Sequence, residues 1–312
     1  MATPYYPDLP MPLPLSIQRG IHLFLLSIWA AASALAAPVQ AETVPLRCAP
    51  SGELYHYRWA LLQLALDHAN TGHADYRVDQ IDSTLTSQSR LEAMLRAGAV
   101  DVLALGPNQE RLAELQPVRV DILRGLLGYR VLLIRKADQA RFRQLSPSEL
   151  KRQIRFGFNS QWADVAILQA NGLTLVTSPS YPNLFAMLSN KRFDAFPRGV
   201  SEFAKELASY GHAYPDLGVD DSHALFMRYP VYFWVRKGNA ELAKRIEDGL
   251  NLALRDGSFK KLFQQYHQPE IQLLKQERRS VLYLENPMFP GPPLPHEYSW
   301  WLPSGIKLHP LP

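Results

Sequence analysis

The sequence predicts an α/β protein made of two lobes, each a mainly parallel sheet flanked by helices. Three observations carry this. Short apolar runs of strand length alternate with helix-length segments, so the chain reads strand–helix–strand–helix–strand twice in succession. Amphipathic helices follow the second set, with Leu242, Ile246, Leu250 and Leu254 repeating every four residues. Residues 42–312 are also long enough for two lobes of about 100 residues each.

The first residues stand apart. Residues 21–37 read IHLFLLSIWAAASALAA, an apolar run preceded by Arg19. Val39 and Ala41 place small residues where a signal peptidase reads, so residues 1–41 are expected to be a cleaved secretory signal. Ala34-Leu35-Ala36 is a second candidate cleavage site, and Met11 an alternative start. The run is at the short limit for a membrane span and fades into alanines, which argues against a retained anchor.

The first set of elements opens with a strand at 44–49 and a turn at Pro50, Ser51 and Gly52. A helix over 54–68 carries Trp59, Leu62, Ala65 and Leu66 at helical spacing. A strand at 76–81, a helix with Leu91, Met94 and Leu95, and a buried-type strand at 100–105 complete it. The long apolar stretch 118–133 then enters a second body of structure. There the pattern predicts a short helix from Ser146, a strand at 155–158 and a helix at 163–170. A strand at 173–177, a helix at 182–188, a strand at 193–196 and a helix through Phe203 and Leu207 follow. Residues 224–235 read as extended, and Asp256-Gly257 separates two C-terminal helices. The expected division is lobe one over 42–126, lobe two over 127–228, a return to lobe one over 229–270, and an extension over 271–312. That extension holds a strand-like VLYL at 281–284 and then NPMFPGPPLP, Tyr298, Trp300 and Trp301. It either folds back onto the body or serves a partner, and the fold is expected to survive its removal after Lys275.

Composition excludes several functions. The formal net charge of +4 is too small to argue for nucleic acid, though it suits an anionic ligand. Cys48 is the only cysteine, so no internal disulfide and no cysteine-based zinc site can form. Pro45, Leu46 and Arg47 before it are a poor context for lipid attachment, and its strand pattern reads as core. The histidines are scattered, with no HExxH. No metal, cofactor or catalytic residue is expected.

Several motifs resemble the polar-amino-acid (family 3) solute-binding proteins of the bacterial periplasm, which have a type II periplasmic binding protein fold. Lys237-Gly238-Asn239 matches that family's turn after the returning strand, and Asp256-Gly257 its break between two helices. Asp194-Ala195, within LFAMLSNKRFDAFPRG, matches a recurrent aspartate–alanine pair. The resemblance spans roughly residues 43–268. It implies that Arg111, ten residues after Asp101, is the lobe-one arginine that grips a ligand carboxylate. The chain departs from the family in lobe two. Gly157-Phe158-Asn159-Ser160-Gln161-Trp162 replaces the usual glycine–threonine or glycine–serine, and Arg198 stands beside the place of the carboxylate that holds an amino group. An arginine cannot receive an ammonium, which tilts the expectation toward a more anionic solute.

The residues themselves suggest a site where the strands of the two lobes end. Arg111 and Arg198 could clamp one anion from opposite lobes, since a guanidinium fits a carboxylate through paired hydrogen bonds. Each reads equally as a surface or turn residue, with Glu110 or Glu114 beside Arg111 and Glu202 within reach of Arg198. Asn159, Ser160 and Gln161 sit at an expected helix start, where free backbone N–H groups bind anions or a side chain simply caps the helix. Glu53, Tyr55 and Tyr57 follow the first strand; Trp162 and Tyr181 are the aromatic candidates of lobe two.

The expected function is periplasmic binding of a small, carboxylate-bearing solute by closure of the two lobes. The protein would act as a monomer and serve an inner-membrane ABC transporter or a sensor. Two alternatives stay open. One is a dehydratase-like enzyme on the same scaffold, using Glu53, His56 or Glu202. The other is a ligand-free structural or signalling protein.

Overall fold

The computed structural model describes residues 43–69, 75–83, 86–160, 162–276, 278–291, 298–302 and 308–310. The leader, its cleavage sites, the alternative start and Gln161 lie outside these residues. Among the described residues no helix is long and apolar enough to cross a membrane.

The first lobe is a five-stranded sheet in the order β2-β1-β3-β10-β4. Its strands are β1 (Thr43–Ala49), β2 (Asp75–Gln80), β3 (Val102–Leu105), β4 (Leu115–Val118) and β10 (Tyr232–Arg236). Strands β2, β1 and β3 are parallel, and β10 runs against both its neighbours. Every strand of this sheet except β10 therefore points the same way. Three helices belong to this half of the chain: α1 (His56–His68), α2 (Gln88–Arg96) and α3 (Gln109–Glu114). The strand VLAL of β3 is buried throughout, as its unbroken apolar run requires.

The second lobe repeats the scheme. Its strands are β5 (Tyr129–Arg135), β6 (Arg155–Asn159), β7 (Thr174–Ser178), β8 (Phe196–Gly199) and β9 (Leu217–Met227). β6 and β7 are parallel, and a parallel bridge from Phe156 to Ala195 joins them to the start of β8. β5 runs against β8 and β9. Here β5, the first strand after the chain leaves the first lobe, is the odd one. The helices are α4 (Gln139–Gln144), α5 (Pro147–Gln153), α6 (Asp164–Ala170), α7 (Tyr181–Ser189) and α8 (Phe203–Tyr210).

After β10 come α9 (Ala240–Asp256), α10 (Ser258–Tyr266) and α11 (Gln268–Lys275). α9 lies so close to α1 that a Cβ on Gly249 would stand 1.8 Å from the carbonyl oxygen of Ala65, so only glycine fits there. Asp256 and Gly257 end α9 as the sequence indicates, with Gly257 at φ 83°. Cys48 is fully buried and burial pushes its thiol up, in keeping with a core role.

The apolar stretch 118–133 holds the end of β4 and most of β5, the latter within the segment 126–136: Arg124 (φ 50°) and Gly125 (φ 80°) turn the chain between the two strands. The Asp121 carboxylate fixes that turn by accepting the N–H groups of Leu123 and Gly125, at 3.0 and 2.6 Å. One expectation needs correction: the C-terminal extension is no appendage. β11 (Ser280–Leu284) pairs in parallel with β9, and β12 (Leu308–Pro310) pairs with β11, so the second sheet gains two strands. Val281, Leu282 and Leu284 are buried. Trp300 packs on Phe259 and Phe263, and Trp301 on Tyr129 and Phe226, with its indole N–H donating to the Arg124 carbonyl at 2.7 Å. The expectation that the fold survives truncation after Lys275 does not fit this packing. The proline-rich sequence misled because its apolar anchors flank the prolines rather than lie among them.

Candidate functional site

A cavity of about 150 Å³ lies between the lobes. The first lobe contributes Tyr55, Arg58 and Gly106, and the second Arg130, Trp162, Asp164, Arg198 and Glu202. Leu127 and Tyr229 enter from the two segments that cross between the lobes. The Tyr229 ring seats on the backbone at Gly106, where a Cβ would come within 2.7 Å of it.

Two arginines of the second lobe are already matched. Arg198, carried on β8, holds Glu206 through its Nε at 2.9 and 2.8 Å and through Nη2 at 2.5 Å, and meets Glu202 at 3.0 Å. Its guanidinium lies 4.7 Å from the Trp162 ring centroid and 4.9 Å from that of Phe196. Burial works against this charge, but Glu202 and Glu206 outweigh it and keep the group firmly protonated. Arg130, on β5, reaches Asp164 at 3.2 Å and Glu202 at 3.6 Å. Burial alone would raise the Glu202 carboxyl. The guanidinium groups of Arg198 and Arg130 prevail and hold it below its usual range, with the Gly199 N–H donating at 2.9 Å.

Arg58 is different. It sits in the first turn of α1, 8 % exposed. Its Nη1 donates to the Ala104 carbonyl at 2.7 Å, its guanidinium covers the Tyr55 ring at 4.6 Å, and its Nε has no hydrogen-bond partner. Among the described residues no carboxylate forms an ion pair with it. Burial accordingly lowers its pKa. Across the cavity, Asp164 leaves Oδ1 without a partner, and burial raises its pKa despite Arg130. The wall thus offers one cation with no ion-pair partner in contact, although Glu202 acts on it from a distance, and one carboxylate oxygen without a hydrogen-bond partner.

The residues picked from sequence divide accordingly. Tyr55, Trp162, Arg198 and Glu202 line the cavity, and the Arg198–Glu202 pairing read from their spacing is present. Tyr181 stands behind Arg198 and donates to Glu206 at 2.5 Å. Arg111 does not line the cavity. It is buried against Glu92 at 2.8 Å and donates to the Gly106 carbonyl, because it faces α2 rather than the cleft. The two-arginine clamp is therefore not what the geometry provides. Tyr57 is core: its hydroxyl donates to the Ile122 carbonyl at 2.8 Å, and its ring meets Phe263 and His267. Glu53 does not line the cavity; it is exposed and lies 3.2 Å from Lys205 of the second lobe.

Asn159 and Ser160 do not head a helix. Asn159 ends β6 and donates to the Pro179 carbonyl at 3.1 Å. Ser160 is exposed, and α6 begins only at Asp164. His56 is exposed at the start of α1. Sequence reasoning missed Arg58, Arg130, Asp164 and Tyr229. Arg130 carried a usable signal, a lone charge inside the apolar run LLGYRVLLI.

Comparison with known proteins bears on the fold. No protein-family model and no curated protein sequence matches the chain. A periplasmic His/Glu/Gln/Arg/opine family-binding protein from Silicibacter pomeroyi, solved in complex with lysine, is similar at 11 % identity and a TM-score of 0.51. The match covers 72 % of this chain and 96 % of that one. The VFT2 domain of BvgS from Bordetella pertussis, solved as a double mutant, is similar at 19 % identity and a TM-score of 0.50. That match covers 72 % of this chain and 93 % of the domain. These likenesses define the class: a two-lobed α/β fold of the periplasmic binding protein kind, as the sequence motifs led one to expect.

Proposed function

We propose that this protein binds a small, carboxylate-bearing solute between its two lobes, outside the cytoplasmic membrane, and presents it to an inner-membrane transporter or sensor. The observation that carries this reading is Arg58, a buried guanidinium in an interlobe cavity with no carboxylate of its own. A buried charge left unpaired is costly, and a ligand carboxylate would supply the missing partner. Asp164 Oδ1 offers a second, opposite contact for a hydroxyl or amino group on the same solute. The cavity of about 150 Å³ suits a compact solute, since a protein cavity of about that volume takes up benzene.

Binding rather than turnover is favoured by the state of the acid–base candidates. Glu202 is held ionised by Arg198 and Arg130, Glu53 is exposed outside the cavity lining, and His56 is exposed with nothing to orient it.

The test is native mass spectrometry of the untreated protein for a co-purified solute, followed by a thermal-shift screen of small mono- and dicarboxylates and amino acids. A carboxylate that stabilises the protein, and whose effect vanishes in Arg58→Ala, supports the reading. Binding confined to uncharged or cationic solutes would overturn it. Chemical conversion of the bound solute would overturn the non-catalytic part and direct attention to Asp164.

A further inference from the structure

A larger cavity, about 290 Å³, lies on another part of the molecule, where the two crossing segments meet α9 and the tail. Arg119 and Arg124 come from the β4–β5 segment and Arg228 from the β9–β10 segment. Asn251 of α9 and Phe289 of the tail complete the wall. Among the described residues Asp121 is the one carboxylate lining it; it lies near Arg124, and its oxygens are taken up by backbone. Oδ1 accepts the N–H groups of Leu123 and Val231, each at 3.0 Å, and Oδ2 that of Gly125 at 2.6 Å. Three guanidinium groups therefore border a cavity whose lining carboxylate is turned toward the main chain.

Two further features suggest a built site. Arg124 adopts φ 50°, a left-handed conformation that a non-glycine residue holds only when its surroundings impose it. Its guanidinium is steadied over the Trp300 ring at 4.7 Å. Arg119 is exposed and makes no hydrogen bond or ion pair among the described residues, so its charge remains available to a ligand.

We propose that this hinge cavity is a second binding site, for a small oxyanion of two or more negative charges, a polycarboxylate or a phosphate ester. Guanidinium groups are the side chains best shaped for such oxyanions. Because its arginines come from both crossing segments, a bound anion bridges them. The site shares no arginine with the interlobe cavity and does not depend on the function proposed for it.

Calorimetry on the full mature chain at low ionic strength, with citrate and pyrophosphate as separate probes, tests the proposal. At least one should bind saturably with a Kd below about 1 mM, and the stronger of the two identifies the source of the charge. Arg119→Glu, at an exposed position, should melt like the wild type and weaken the probe at least about tenfold; Arg228→Gln should weaken it in the same direction. Arg58→Ala should leave it unchanged. Hydrogen exchange with the bound probe should show protection over 119–125 and 226–232. Absence of saturable binding by both probes would overturn the proposal. So would unchanged affinity in Arg119→Glu, or protection confined to the interlobe cleft.

Discussion

Arg58 and Arg111 are both buried arginines of the first lobe, and they differ in what meets their charge. Arg111 has Glu92 at 2.8 Å, whereas Arg58 has a carbonyl and an aromatic face. Removing one partner of a buried ion pair strands the other. Arg111→Ala should therefore lower stability by about 3–5 kcal/mol in urea unfolding, while the surviving folded protein keeps its ligand affinity. Arg58→Ala should do the reverse. Stability should change little, and calorimetry should show an affinity loss of roughly thirtyfold or more for a carboxylate solute. The sequence placed Arg111 correctly just after the end of β3, but not within α3, and it could not give the direction of its side chain. A residue at that point can face the cleft or the neighbouring helix, and only the packing of α2 decides. Arg58 escaped notice because a charge in the first turn of a helix ordinarily faces water.

At the scale of elements, the junction of α10 and α11 carries a pH response. His267 is buried beside Tyr57 and Phe263, neither ring nitrogen has a hydrogen-bond partner, and burial together with Arg58 lowers its pKa to about 4. The ordinary value is 6.5, so between pH 6.5 and 4 the unfolded chain holds a proton that the folded chain refuses. Stability should fall as the pH is lowered through that window, by on the order of 3 kcal/mol. Glu270, 3.9 Å away and pushed up by burial, offsets part of this. His267→Phe should flatten the profile without loss at neutral pH, as urea titrations at several pH values would show.

The tail poses the same problem of legibility. Its strand VLYL was readable, but its partner β9 was not, because pairing depends on an edge left free elsewhere in the sheet. Truncation after Lys275 should abolish the cooperative thermal transition. Trp301→Ala alone should cost about 3–5 kcal/mol, measured by chemical unfolding.

For the whole molecule, repeated strand and helix periodicity and the Asp256-Gly257 break made the two-lobed architecture legible. The site was less so, because its lining comes from side chains of both lobes, far apart in sequence. Glu53 and Lys205 meet at 3.2 Å across the seam, both largely exposed. Such a pair adds little. Lys205→Glu should weaken solute binding less than about fivefold, and added salt should erase the difference from wild type.

The C-terminal strand has one more consequence. The chain passes between lobes at β4–β5 and β9–β10, and again from α11, packed with Tyr57 and Phe263, to β11 on the second sheet. That last passage has only five peptide steps, from Lys275 to Ser280. A fully extended chain spans at most about 3.6 Å per residue, so these two α-carbons can never separate by more than roughly 18 Å. The link acts as a door chain: however far the cleft gapes at its mouth, this edge sets the limit of travel.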